Sequence, residues 1–513
     1  MEHHNIFSNL FGVKFHTTEE TKMKKTILLA LTLSLLLASC GGNAPKELAE
    51  NTVPSEETLL TEETTKKYAD NIPEDLTFDG QTITFLIENV MAKNDLTGEI
   101  GGDIAMDAVY NRNLKTEERF NVKIQSDIKE MSHPDIANLV RQSVLADAEP
   151  YNVYLARALE AITLSIEGML VETKELPYID INQPWWQKDY AQSIALNSNE
   201  IYALPGDICI STFMYSNVLF FNKQDFTDRF GDYNEQLYDV VFDGKWTYDV
   251  FMKYLEQSYT DTNGNGTTDN EDYYGFVYLD YAQGWYFLSA GLEYVSRDEE
   301  GYPVLELYND RIVKLAETLS DLFNTPEYGL RCDGTYNNTL GKFLVEGQCL
   351  FLPARFNFID WNLREMEDPF GCLPYPKIDE NAEYASGSAN SGNFVTVPNN
   401  NTELNMISAV VEALCAEGNA SVFPTYYENA LKIKYTDGGS DAKMIDLIRD
   451  STMDFVLGTA SHNGSSIGYL IGDVVMNNQG SEYTSYYNAQ IGAKNEMLKN
   501  IITTYKNNRN LGD

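Results

Sequence analysis

Between Phe78 and Ala156 the chain reads as strand, helix, strand, helix, strand, and that alternation confines it to an α/β architecture built on a mainly parallel sheet. FDGQTITFLIENV is a turn followed by a strand. DIAMDAVYNRNLKTEERFNVKI sets Ile104, Ala108, Val109, Leu114 and Phe120 at helical spacing and then alternates through a short strand at 121–124. Residues 136–148 repeat the helical pattern, and YNVYLA at 151–156 is a further strand. Later, 200–205 and 217–222 read as neighbouring strands, and Thr247 caps a helix that runs to Gln257. Helical patterns recur at 310–323, 403–415, 442–450 and 489–506, and no repeat of fixed period is visible.

Ahead of this region lies MKKTILLALTLSLLLASC at 23–40, with two lysines, a short apolar run and small residues before Cys40. This is the pattern of a secretory signal, too short to span a bilayer, which takes about 20 apolar residues. The ending Leu37-Ala38-Ser39-Cys40 resembles a lipobox, which makes Cys40 the expected lipidation site and first mature residue. Residues 1–22 read as an over-extended start. Residues 41–76 are rich in Glu, Thr, Pro, Asn and Lys and read as a disordered tether.

Acidic residues outnumber basic ones by 77 to 37, a formal net charge of −40, so the surface repels nucleic acid and anionic headgroups. Membrane contact through the lipid anchor alone is expected, together with a neutral or cationic ligand. Beyond the signal only His133 and His462 remain, in no constellation, which disfavours histidine triads and zinc. Cys209, Cys332, Cys349, Cys372 and Cys415 match no metal spacing and read as buried small apolar residues. The chain carries no phosphate-cradling loop, no G-x-S-x-G elbow and no H-E-x-x-H, so an enzyme is not expected.

One acidic loop has the oxygen spacing of a calcium site: Asp261, Asn263, Asn265, Thr267, Asp269 and Asp272 occupy positions 1, 3, 5, 7, 9 and 12 around Gly266. A structural Ca²⁺ is the expectation, against an Asn/Gly-rich turn that holds no metal. Asp272 stands where Glu is usual.

The chain also has 33 Tyr, 24 Phe and 5 Trp, several at strand ends, where rings can stack on the apolar faces of sugars while Asp, Asn and Arg bond the hydroxyls. Trp185-Trp186, Trp285-Tyr286 and the run from Arg355 to Trp361 are the clusters of interest.

DAVYNRNLKTEERFNVKI, IYALPGDI, NVLFFNKQDF, GKWTYDVF, the acidic loop ending in DYYGF, GQCLFLPARF, LREMEDPFGCLPYPK and PTYYENALKIKYTDGGSDAKMIDLIRDS, in this order, resemble the extracellular solute-binding proteins of carbohydrate ABC transporters, the group that includes maltose-binding protein. The resemblance implies a two-lobed, type II periplasmic-binding-protein-like α/β fold. Its lobe 1 would span 77–207 and 346–392, and its lobe 2 would span 208–345 and 393–513. Chain crossings near 206–211, 344–351 and 390–396 would form the hinge. It also implies a monomer on the extracytoplasmic face of the cell membrane that captures an oligosaccharide between the lobes and delivers it to ABC permease subunits. Ligand contacts carried over to strand ends and crossings are Glu88, Asn89, Asp207, Tyr215, Arg355 and Trp361, with Trp185, Trp186, Trp285 and Tyr286 as stacking rings. A receptor for a peptide, polyamine or other small solute, a sensor lipoprotein and a surface glycan-degrading enzyme are the alternatives.

Overall fold

The computed structural model describes residues 70–88, 93–101, 104–279, 282–333, 339–364, 366–387, 392–426, 439–453, 461–462, 465–466 and 470–509. The signal, Cys40 and most of the tether lie outside them. The described residues include a stretch ahead of the expected Thr77. Asp70 is buried and takes two hydrogen bonds from Arg119, at 2.6 and 2.8 Å, and Ile72 is buried beside it. A carboxylate that pairs with a guanidinium is invisible to a composition test for disorder, so the contacts of Asp70 and Ile72 fall within the segment expected to be a tether.

The first sheet holds β1 (Gln81–Glu88), β2 (Val122–Lys129) and β3 (Val153–Arg157). Its spatial order is completed by a late strand, β12 (Asn393–Thr396), giving β12-β3-β1-β2. β1 is parallel to β2 and β3, while β12 runs antiparallel to β3. Successive residues of a strand face opposite sides of the sheet. Ile83, Phe85 and Ile87 accordingly join one apolar cluster with Val410 and Leu414, and Leu86 joins another with Val109 and Ile136. Both faces of this sheet are covered, as βαβ crossovers require. The helix Leu404–Glu417 is buried almost all round, and the longer stretch Leu404–Tyr426, although apolar enough to cross a membrane, serves here as core.

The second sheet holds β4 (Asn217–Asn222), β5 (Tyr274–Leu279), β8 (Gly329–Cys332), β9 (Cys349–Arg355) and β10 (Phe370–Leu373) in the order β10-β4-β9-β5-β8. A hairpin of β6 (Val295–Arg297) with β7 (Pro303–Leu305), and the short β11 (Ser386–Gly387), lie outside it. β9 runs parallel to β5 and antiparallel to β4. Its pairing with β5 extends to Phe351, two residues short of Pro353, which has no N–H to offer a ladder.

These pairings exchange two segments of the expected lobes. Cys349–Arg355 and Phe370–Leu373, assigned by sequence to lobe 1, belong to the second sheet, and Asn393–Thr396, assigned to lobe 2, belongs to the first. A strand buried on both faces is apolar throughout, and nothing in such a run tells which sheet will accept it. The chain therefore passes between sheets around residues 206–216, 387–393 and 418–423, and stays in one sheet at 344–351. The expected strand at 200–205 is instead an irregular segment joined to the first sheet through the bridge between Leu204 and Val395.

The crossings are packed tightly. Arg112 donates to the Ile208 and Asp95 carbonyls at 3.2 and 2.6 Å. The Asp95 carboxylate accepts from the Ser211 amide and hydroxyl, at 2.8 and 2.6 Å, and from Asn393 Nδ2 at 3.2 Å. Thr212 Oγ1 donates to the Asn393 carbonyl at 2.8 Å, so two crossings share one buried polar knot. A Cβ on Gly418 would stand 2.2 Å from the Asp207 carbonyl oxygen, so only glycine lets these crossings touch. The C-terminal helix Tyr483–Asn508 bonds Leu307 through the Tyr483 hydroxyl at 2.6 Å and Ile166 through Asn508 at 2.9 Å, so it spans both halves.

Candidate functional site

The residues that close β1, β3 and β9 all act on Tyr215 beside the first crossing, and carboxyl ends of strands are where open α/β sheets place their ligands. Glu88 ends β1, Arg157 ends β3, and Arg355 ends β9. Tyr215 follows the short crossing helix Ile210–Met214 and is buried. The guanidinium of Arg355 lies 4.7 Å from the centre of the Trp285 ring and 5.9 Å from that of Tyr215. Contacts of this kind draw on the negative face of the ring and hold the guanidinium in place beside it.

Electrostatics tie the two sheets together here. Burial pushes the Tyr215 hydroxyl above the usual tyrosine range; Arg355 and Arg157 pull it down, while Asp95 and Glu88 push it up. One hydroxyl thus senses charges from β1, β3 and β9. Burial likewise lowers Arg157 from its ordinary value, against the holding charge of Glu88 and Glu160. His133 is lowered by burial and by Arg157, with Glu88 opposing. Two rings framed by two arginines and a carboxylate suit a flat, hydroxylated ligand: the rings cover an apolar face, and the charged groups give and take hydrogen bonds at its rim.

Of the sequence-derived contacts, the structure brings together Glu88, Tyr215, Trp285 and Arg355. Asn89 and the Trp361 side chain lie outside the described residues. The remaining ones are engaged elsewhere. Trp185 and Trp186 are buried in the core of the first lobe, their indole N–H groups donating to Glu412 at 3.1 and 2.8 Å. A buried indole needs an acceptor, and Glu412 meets two of them, so these rings are structural. Asp207 accepts from Arg449 Nη2 at 2.9 and 2.8 Å, an ion pair with the helix Ser440–Asp450, and from Asn419 at 2.7 Å, a bond that ties the first crossing to the third. Tyr286 is fully buried, its ring 4.7 Å from Tyr375 and 5.3 Å from Phe323. Sequence reasoning missed Arg157 and His133. Arg157 had a usable signal, a charge that closes the apolar run YNVYLAR.

The acidic loop folds onto itself. Asp261 accepts from the amides of Gly264, Asn265 and Gly266 at 2.7, 3.2 and 2.9 Å. Asp272 accepts from the amides of Thr262 and Asp269, at 3.2 and 3.1 Å, and from the Tyr259 hydroxyl at 2.9 Å. Asn265 donates to Asp269 at 2.6 Å. Among the described residues no three His, Cys, Asp or Glu side chains converge as a metal shell. The five cysteines are buried and unbridged.

No family model matches the chain, and no curated protein matches it. Solved structures do share its fold. The galacto-N-biose/lacto-N-biose I-binding protein of the ABC transporter from Bifidobacterium longum, in complex with lacto-N-biose, is 13% identical with a TM-score of 0.52, covering 83% of this chain and 98% of its own. An ABC substrate-binding protein from Listeria monocytogenes in complex with cycloalternan is 12% identical with a TM-score of 0.51, covering 82% of this chain and 100% of its own. The GacH receptor of Streptomyces glaucescens, solved unliganded and with acarbose, is 13% identical with a TM-score of 0.50, covering 82% of this chain and 99% of its own. The fold is that of type II periplasmic binding proteins.

Proposed function

We propose that the protein is an extracytoplasmic receptor that captures an oligosaccharide between its two lobes and delivers it to an ABC permease. The observation that carries this reading is the meeting of Arg355, Trp285 and Tyr215 with Glu88 and Arg157 at the carboxyl ends of strands from both sheets. The sugars held by the similarly folded proteins of Bifidobacterium longum and Listeria monocytogenes support the same ligand class. A ligand that touches both walls favours the closed arrangement by its differential affinity for it, and closure makes a new surface that a permease can read. No bond is broken. A diacyl group on Cys40 would hold the receptor at the membrane and raise its effective concentration near that partner.

Isothermal titration against neutral mono- and oligosaccharides, with polyamines and short peptides alongside, tests the reading. Saturable binding of one sugar class with no release of reducing ends is the expected result. Binding of only a peptide or polyamine would overturn the carbohydrate assignment, and release of reducing ends would overturn the receptor.

A further inference from the structure

Asn217 opens β4 directly opposite Arg355 in the antiparallel register. Residues paired in this way present their side chains to the same face of the sheet. Asn217 is completely buried, and neither its Nδ2 nor its Oδ1 has a hydrogen-bond partner. Its amide lies beside Gly387, where a Cβ would come 3.2 Å from Nδ2 and 3.2 Å from the Cβ of Leu288. Leu288 and Trp285 stand three residues apart on the helix Gln283–Leu288 and so share one side of it, and Trp285 in turn carries the Arg355 guanidinium. Asn217 therefore sits in the second sheet's wall next to the Arg355 and Trp285 pair. The same helix begins with Gln283, whose buried Oε1 is likewise unmet.

Nearly all buried polar atoms in native proteins are hydrogen-bonded, and an amide with both ends unmet is a group that a bound hydroxyl or water would complete. We infer that Asn217 is a ligand-contacting residue that donates through Nδ2 to one hydroxyl of a neutral ligand and accepts through Oδ1 from a neighbouring hydroxyl, which makes this part of the cleft selective for a vicinal diol. The selectivity follows from the chemistry of the amide. A carboxylate has no proton for Oδ1, an ammonium has no lone pair for Nδ2, and a pair of adjacent hydroxyls satisfies both. Arg355 beside it further disfavours a cation. The inference rests on the receptor reading above.

The test compares the full chain with Asn217→Leu and Asn217→Asp, each measured by thermal melting without ligand and by titration with the neutral oligosaccharides. Leu matches Asn in shape and removes the unmet atoms, so the ligand-free Asn217→Leu variant is expected to melt above the wild type while its affinity falls at least tenfold. Asn217→Asp keeps the shape, loses the donor and is expected to bind at least tenfold more weakly. Affinity within twofold of wild type in both variants, or a lower melting temperature for Asn217→Leu, overturns the assignment of Asn217 alone. A wild type that takes no oligosaccharide overturns the receptor reading and the diol with it.

Discussion

Asp70 and Arg119 are joined with almost no solvent at either side chain, at 0% and 2% exposure, so removal of one partner strands a buried charge. Asp70→Ala is expected to destabilise the protein by about 3–5 kcal/mol, read as a shifted denaturant midpoint; a change below about 1 kcal/mol would show that water reaches the guanidinium. Asp95 makes stability depend on pH. Burial pushes its carboxyl from 3.8 up to about 7, partly offset by the bonds from Ser211 and Asn393. Between those values the folded protein keeps a proton that the unfolded chain has lost, so stability is full at the acid end and falls as pH rises toward about 7. Asp95→Asn mimics the protonated carboxyl and is expected to flatten this decline in a melting series; a slope equal to the wild type's assigns it to other groups. At this scale the site was half legible. A charged residue that closes an apolar strand is visible in a string of letters, and that marks Glu88 and Arg355, whereas Tyr215 came with the chain crossing that the resemblance implies. What occupies Trp186 was not visible, because its acceptor Glu412 lies 226 positions away.

Helices and turns were legible in place and blind in partnership. The helix Asp310–Asn324 was expected from its spacing and is capped by Asn309, whose side chain accepts from the Ile312 amide. The hairpin of β6 with β7 was not expected, and its Arg297 reaches the carbonyls of Gln192, Ser193, Ala195 and Leu196 at 3.0, 3.1, 2.8 and 3.0 Å. A guanidinium at a helix C-terminus satisfies carbonyls that have no intrahelical donor and offsets the negative end of the dipole. At the third crossing, Gly418→Ala is expected to cost about 1–3 kcal/mol, since the added methyl meets a backbone oxygen that cannot move without the chain. An unchanged melting temperature would mean that the crossings part more readily than their packing implies. Calcium at the 261–272 loop stays a proposal carried by oxygen spacing. Addition of millimolar Ca²⁺ is expected to raise the melting temperature and EGTA to reverse it, whereas no response leaves a turn closed by its own amides.

For the whole molecule, the alternation of strands with helices was enough to expect an α/β fold and the family resemblance implied two lobes, and the two main sheets agree with both. Which strand joins which sheet was out of reach, since pairing is decided by packing between segments hundreds of residues apart. Closure on ligand predicts a smaller radius of gyration in solution scattering at saturating oligosaccharide; an unchanged value would mean that ligand enters an already closed cleft. The pairing of β12 with β3 has a consequence in time. Thr396 bonds a carbonyl of Tyr154 from 242 residues further along the chain. At the usual pace of translation, about 5–20 residues per second, β3 waits roughly 10 to 50 seconds for its neighbour, with one edge open while the second lobe is made. For that interval the first sheet has a vacant seat, and it can be filled by its own strand only after most of the chain has been made.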